Sequence, residues 1–200
     1  MTDHQDYLPG ELPAPHSSTH QIDGDDQISI QAIHDFQVIL TPYIPIGNPH
    51  VLDLTDTDVD LKGFFGGFTD GRYGYFVPFY NGAYSGKIAR VDLSDFATVA
   101  VLDLTLTDAD LKGFYGGFTD GRYGYFVPHY NGAYFGKIAR VDLSDFATVA
   151  VLDLTLTDPD LKGFMGGFTD GRYGYFVPYY NGAYFGKIPR TLLRHHPSSI

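Results

Sequence analysis

Cysteine is absent from the sequence, and a disulfide framework, a thiolate metal site and a cysteine nucleophile are absent with it. Lysine and arginine are missing from residues 1–50, which carry seven acids: Asp3, Asp6, Glu11, Asp23, Asp25, Asp26 and Asp35. The other 150 residues hold 17 acids against 13 bases, so most of the net charge of −11 sits at the N-terminus. Binding to a phosphate backbone requires clustered cations, and their scarcity predicts no nucleic-acid partner. No apolar run reaches the ~18 residues of a membrane-crossing helix, so no membrane partner is expected. The opening stretch MTDHQDYLPGELPAPHSSTHQIDGDD has neither a basic n-region nor an apolar h-region. It does not read as a secretory signal, which leaves a cytoplasmic location as the default. Its Pro, Ser, His and Asp content buries too little apolar surface to offset the entropy of ordering. Residues 1–26 are therefore expected to be a disordered acidic tail, and 27–50 an irregular lead-in.

Catalytic signatures are equally scarce. Neither Gly-x-Ser-x-Gly nor His-Glu-x-x-His occurs, and no Gly-Lys-Ser follows the glycine-rich stretches to make a phosphate loop. Five of the eight histidines (His4, His16, His20, His34, His50) fall in the first 50 residues, and His195 and His196 are adjacent, with no metal-ligand spacing among them. No metal and no cofactor is expected.

What is present is repetition. The phrase GGFTDGRYGYFVP occurs unchanged at 66–78, 116–128 and 166–178, within a period of 50 residues that starts at Val51. Copies 51–100 and 101–150 differ at five positions. The third follows the second to Arg190, except at Pro159, Met165, Tyr179 and Pro189, and residues 191–200 form a divergent tail.

Helical spacing of apolar residues is absent, and strand signals are dense. Asp70-Gly71, Asp120-Gly121 and Asp170-Gly171 sit between aromatic-rich runs, and Asp-Gly supplies the positive φ of a tight hairpin turn. After the first turn Tyr73, Tyr75 and Val77 alternate with Arg72, Gly74 and Phe76, the period of a strand, and Pro78 ends the ladder for want of an N–H. Runs at 87–93 and 98–104 supply a third and a fourth strand rich in β-branched residues. Four short antiparallel strands in 50 residues are the unit of a propeller blade. The fold class is all-β, with about three blades over 51–190. Closed propellers have roughly four to eight blades. Three make an incomplete, open propeller unless oligomerisation completes it, and a homodimer closing a six-blade ring is one solution. A fragment of a longer propeller with no independent function is the other. The third copy loses its fourth strand, while Val51–Thr55 reads as a fourth strand with no blade before it.

The stretch FTDGRYGYFVPYYNGAYFGKIARVDLSDFATVAVLDL resembles the repeats of YVTN-type, surface-layer and NHL-like β-propellers. Those run strand, Asp-Gly, aromatic strand, Gly/Asn loop, a strand ending in Asp-Leu, and a Thr/Val strand. The resemblance covers about 51–190 and implies the architecture and, loosely, a binding role; the Gly-Gly pair, the Pro at 128 and its equivalents, and the longer repeat depart from the pattern.

Candidate site residues come from where the copies differ. Phe65, Tyr115 and Met165 are aligned, as are Phe79, His129 and Tyr179, and Ser85, Phe135 and Phe185. Large aromatic or polarizable side chains there suit a face that stacks on sugar rings, aromatic groups or a partner surface. Drift at tolerant positions would produce the same variation. Asp70, Gly71, Asp120, Gly121, Asp170 and Gly171 are assigned to turns. Asp56, Asp58 and Asp60 alternate as in a calcium loop, but the Gly comes at 63 instead of directly after the third Asp, no Glu stands at the twelfth position and later copies lose the first Asp, so a solvated loop is expected there. Arg90 and Asp92 are candidates for a cross-strand ion pair. The expected function is a non-catalytic propeller-type binding or scaffold module with a protein or glycan ligand. The alternatives are a lectin-like propeller and a propeller hydrolase or lactonase using a divalent metal.

Overall fold

A computed structural model of the chain describes residues 47–193. The acidic tail, the lead-in up to residue 46 and the tail from 194, including six of the eight histidines (all but His50 and His129), fall outside the described residues. The described residues from His50 onward belong to one compact unit.

The described chain is all-β. The first copy folds as β1 (Phe64–Thr69), β2 (Tyr73–Pro78), β3 (Lys87–Asp92) and β4 (Val99–Asp103). The second gives β5 (Phe114–Thr119), β6 (Tyr123–Pro128), β7 (Lys137–Asp142) and β8 (Val149–Asp153). The third gives β9 (Phe164–Thr169), β10 (Tyr173–Pro178) and a short β11 (Arg190–Leu192). Each copy is its own antiparallel sheet in sequence order, of four, four and three strands, and none closes into a barrel. These are tandem blade-like units, as the period of 50 predicts.

The hairpin turn is one residue out of phase with the Asp-Gly reading. Gly71 takes the positive φ (+99°), whereas Asp70 does not. Asp70 instead accepts the amide hydrogens of Arg72 and Tyr73 at 2.9 and 2.7 Å, and its own N–H reaches the Tyr73 carbonyl. A carboxylate that caps two turn amides explains Asp as well as a left-handed Asp would.

Period-two alternation sends successive residues of the middle sheet to opposite cores. Tyr125 and Val127 join Phe118, Ile138, Phe164 and Phe176 on one side. Phe126, Ala139 and Val141 join Tyr75, Val77 and Ile88 on the other. Leu104 and Leu111, from the 3-10 turn and loop that link the sheets, seal the first core, and Leu154 and Leu161 seal the second. The innermost strands β1, β5 and β9 approach through glycine: a β-carbon built on Gly66 would lie 3.3 Å from the Gly116 Cα, and one on Gly116 3.4 Å from the Gly166 Cα.

Two local expectations change. Val51–Asp53 forms no ladder, because a strand needs a neighbour and none precedes it among the described residues. Asp53 is nonetheless extended (φ −90°, ψ 109°) and caps a 3-10 turn at Leu54–Asp56, as Asp103 (φ −94°, ψ 107°) does at Leu104–Leu106. In the third copy, pairing of β10 with β11 stops at Tyr175↔Arg190, whereas β2 and β3 continue to Phe76↔Ala89. Pro189 replaces that alanine and has no N–H to donate.

Candidate functional site: an aromatic rim across three repeats

The inner strand of each sheet carries a bulge that the sequence reading missed. Phe64 pairs with Pro78 and Gly67 with Phe76, so β1 holds one residue more than its partner over this interval. The same shift recurs in β5 and β9. Gly66 supplies the positive φ (+82°) that such a bulge needs, and bulges redirect the neighbouring side chain. Phe65, Tyr115 and Met165, the first variable set, therefore emerge at the bulge. The Gly-Gly pair was its signal.

The Phe65 and Tyr115 rings stack with centroids 3.4 Å apart and planes at 25°. Phe79 meets both edge-on, at 6.0 and 5.6 Å. His129 lies 4.9 Å from Tyr115, 6.2 Å from Phe79 and 6.1 Å from Tyr179. Tyr84, Tyr130, Tyr134 and Tyr180 continue the surface outward at centroid spacings of 4.8 to 5.4 Å. Two of the three variable sets thus converge on one aromatic rim at the Pro78, Pro128 and Pro178 ends of the second strands. Met165 stands exposed at its inner edge.

The third set is placed elsewhere. Phe135 packs edge-on against buried Phe114 and Phe185 against buried Phe164, at 5.7 and 5.8 Å. Ser85 at the aligned position leaves Phe64 half-buried and accepts the Lys87 N–H at 3.3 Å.

His129 is the polar centre of the rim. Its Nδ1 lies 2.9 Å from the Phe164 carbonyl, which places the proton of the neutral ring on Nδ1. Burial among aromatic rings disfavours the imidazolium and outweighs the carbonyl's opposite pull, so the pKa falls below the ordinary histidine value. The rings around it belong to Phe79, Tyr115, Tyr134 and Tyr179.

The Asp58/Asp60 loop is occupied by a lysine. Lys87 Nζ sits 2.8 Å from Asp58 and 2.7 Å from Asp60. Lys137 holds Asp108 and Asp110, and Lys187 holds Asp158 and Asp160, at the same distances. The carboxylates raise the Lys87 and Lys137 pKa, and the lysines lower those of Asp58, Asp108 and Asp158. The sequence signal was the fixed spacing of acid pair and lysine in every copy. Among the described residues no group of three His, Asp or Glu side chains is arranged to hold a metal ion. No helix there is long and apolar enough to cross a membrane.

Arg90 and Asp92 do not pair with each other. Asp92 takes Arg72 at 3.1 Å, and Arg90 lies over the Tyr73 and Phe146 rings at 4.5 and 4.4 Å. Neighbours two apart on one strand share a face, yet each finds a better-shaped partner across the sheet: a fork for the carboxylate, flat rings for the guanidinium.

Fold and rim together define an all-β tandem-repeat protein of blade-like sheets with an aromatic face. No protein-family model and no curated protein sequence matches the chain.

Proposed function

We propose that the chain is a non-catalytic binding module of the propeller-repeat type whose ligand lies against the aromatic rim. The observation that carries this reading is the convergence of Phe65, Tyr115, Phe79, His129 and Tyr179, five residues from two repeat positions that vary between the copies, on one continuous face. Most core positions of the same repeats are held identical, with Ser85/Phe135/Phe185 and Ala89/Ala139/Pro189 as exceptions. Aromatic faces bind through stacking and desolvation, and half-exposed rings such as Phe65, Tyr80 and Tyr179 offer both with little side-chain entropy to lose. The resemblance of the repeat to YVTN and NHL-like propellers supports the same class.

A glycan ligand is favoured over a protein by the recurrence of one tyrosine pair per copy: Tyr80–Tyr84, Tyr130–Tyr134 and Tyr180–Tyr184, with rings 5.1, 4.8 and 5.2 Å apart. Equivalent ring pairs at regular spacing suit a repeating ligand, where linked weak contacts add by avidity. The hydrolase alternative is weakened by the surroundings of His129, whose neighbours are rings and a backbone carbonyl. The test is a glycan array probed with the wild-type chain and with Tyr115→Ala, His129→Ala and Tyr179→Ala. Binding lost in the variants supports the rim; binding retained in all three, or directed only at proteins in parallel capture, overturns the glycan reading.

A further inference from the structure

The two ends of the repeat array are shaped to fit each other, and we infer that a second copy of this chain joins it head to tail, closing a six-blade ring. The inference concerns the flanks of the first and third sheets and is independent of what the rim binds.

The argument starts from the two internal junctions, which are built alike. Phe68 projects from the first sheet toward Gly117 and Gly124 of the second, where added β-carbons would lie 2.9 and 2.8 Å from its ring. Phe118 does the same to Gly167 and Gly174 of the third. Tyr84 lies against Gly113 and Tyr134 against Gly163. Arg90 and Tyr75 cover the ring of Phe146, at 4.4 and 5.9 Å. A backbone bond seals the seam: Gly113 donates to the Ser85 carbonyl, repeated by Gly163 to Phe135.

The last sheet presents the projecting half of this junction with nothing described against it. Phe168 is 57% exposed where Phe118 is 7%, Val177 is 40% where Val77 and Val127 are 0%, and Ile188 is 66% where Ile138 is 2%. Tyr184 and Leu192 are exposed as well. The first sheet presents the receiving half. Gly63, Gly67 and Tyr80 are open, Leu93 is exposed where Leu143 is buried, and Phe96 is exposed where Phe146 is buried. Phe96 also keeps the left-handed backbone of Phe146 (φ 50° in both), a conformation costly for a bulky residue. In the internal junction the strained turn delivers its ring beneath an arginine; at the front of the array the delivery is made to open surface. Ala89 and Val91, which align with the Ala139 and Val141 that share a core with Tyr75 and Val77 in the internal junction, are already buried, so a second copy repeats that junction only at the inner strand and the outer turn around them.

The edge strand is prepared in the same way. Val51–Asp53 with its 3-10 turn has the geometry of β4 and its turn without a sheet to pair with. The three-stranded third sheet has an unpaired β11 edge, bordered by a groove of about 250 Å³ between Ala150, Leu152 and Thr191–Leu193. Carrying over the register Lys87↔Asp103 and Ile88↔Leu102 sets Asp53 of one copy opposite Lys187 of the other, and Leu52 opposite Ile188. Strand addition supplies main-chain bonds, and the alternating side chains fix which strand fits. Such an interface is heterologous, so each copy offers one end and receives the other, and two copies of three blades give a ring within the four-to-eight range of closed propellers.

Light scattering across micromolar concentrations tests this. The wild-type chain is expected at twice its 22.2 kDa mass. Phe168→Asp at one end and Leu52→Asp at the other are each expected to halve that mass while keeping the β circular-dichroism spectrum. An equimolar mixture of the two regains dimer, because one undamaged head still meets one undamaged tail. A monomeric wild type, an unaltered dimer in Phe168→Asp, a mixture of folded variants that stays monomeric, or polymers that lengthen with concentration each overturn the closed head-to-tail ring. Should either variant fail to fold, hydrogen exchange on the wild type decides: amides of 51–53 and 187–192 slow as concentration rises, and concentration-independent exchange there overturns the inference.

Discussion

Tyr75 donates its hydroxyl to the Asp70 carboxylate at 2.7 Å, tying the second strand of the first sheet to the turn that starts it. The bond recurs from Tyr125 to Asp120 at 3.1 Å and from Tyr175 to Asp170 at 2.8 Å. In the first copy the ring is buried, so the hydroxyl has no water to fall back on. Its turn amides and the Tyr75 hydroxyl hold Asp70 below the ordinary carboxylate pKa against the opposing effect of burial. Burial, then the Asp70 charge, pushes the Tyr75 phenol well above its ordinary value. Tyr75→Phe removes a charge-assisted bond and leaves the carboxylate short of one donor, with an expected loss of about 1.5 kcal/mol in urea unfolding. A phenol whose folded pKa is raised contributes stability below its unfolded pKa, and that contribution declines as pH rises above 10. Phenolate absorbance in alkaline titration is therefore expected to lag for the buried tyrosines until the fold opens.

His129 provides a second pH window. Its folded pKa is depressed, so the unfolded chain binds the proton more readily and stability is fully present above the unfolded value near 6.5. It is lost progressively as pH falls from there through the folded value. The first and third copies carry Phe79 and Tyr179 at this position, so His129→Phe fits the local frame. Thermal unfolding from pH 7 to 5 is expected to show a shallower decline in His129→Phe than in wild type. Equal slopes would mean that the ring is solvated.

The strands, their order and the blade-like grouping were readable because each rests on local signals: alternation at 73–77, a glycine with positive φ at 71, β-branched residues at 98–104. The rim was half readable. Variation at 65 and 79 pointed to it, but variation at 85 did not, because Phe135 and Phe185 fill a core that Ser85 leaves open. The bulge was hidden by a glycine pair that also serves close strand approach. What sequence order concealed most was pairing across distance. Lys87 meets Asp58 and Asp60 from 29 and 27 positions away, and Arg72 meets Asp92 from 20. Arg90 and Asp92, two apart in sequence, diverge because the sheet offers each a partner of better geometry.

The lysine pairs give a modest, salt-sensitive term. Lys137 is about a quarter exposed and bonds one partly buried and one exposed carboxylate, which limits the pair to about 1 kcal/mol. Lys137→Ala is expected to lower the unfolding free energy by that much at low ionic strength and by less at high salt, since screening weakens the wild-type pair. A salt-independent loss would assign the effect to the lysine stem packing instead of its charge.

Two glycines a few residues apart separate space from backbone strain. Gly124 has an ordinary φ, but a β-carbon there would lie 2.8 Å from the Phe68 ring and 3.0 Å from Leu143, both held in the core between sheets. Gly121 has open space around it and a φ of +93°. Gly124→Ala is expected to cost about 2 kcal/mol as the facing sheets are forced apart. Gly121→Ala costs about 1 kcal/mol, confined to the turn. Truncating the obstructing ring distinguishes the two causes: in a Phe68→Leu background, itself destabilised, the added penalty of Gly124→Ala shrinks and that of Gly121→Ala does not. An undiminished Gly124→Ala penalty would place the obstruction in the backbone and remove Phe68 as the residue that fills the slot.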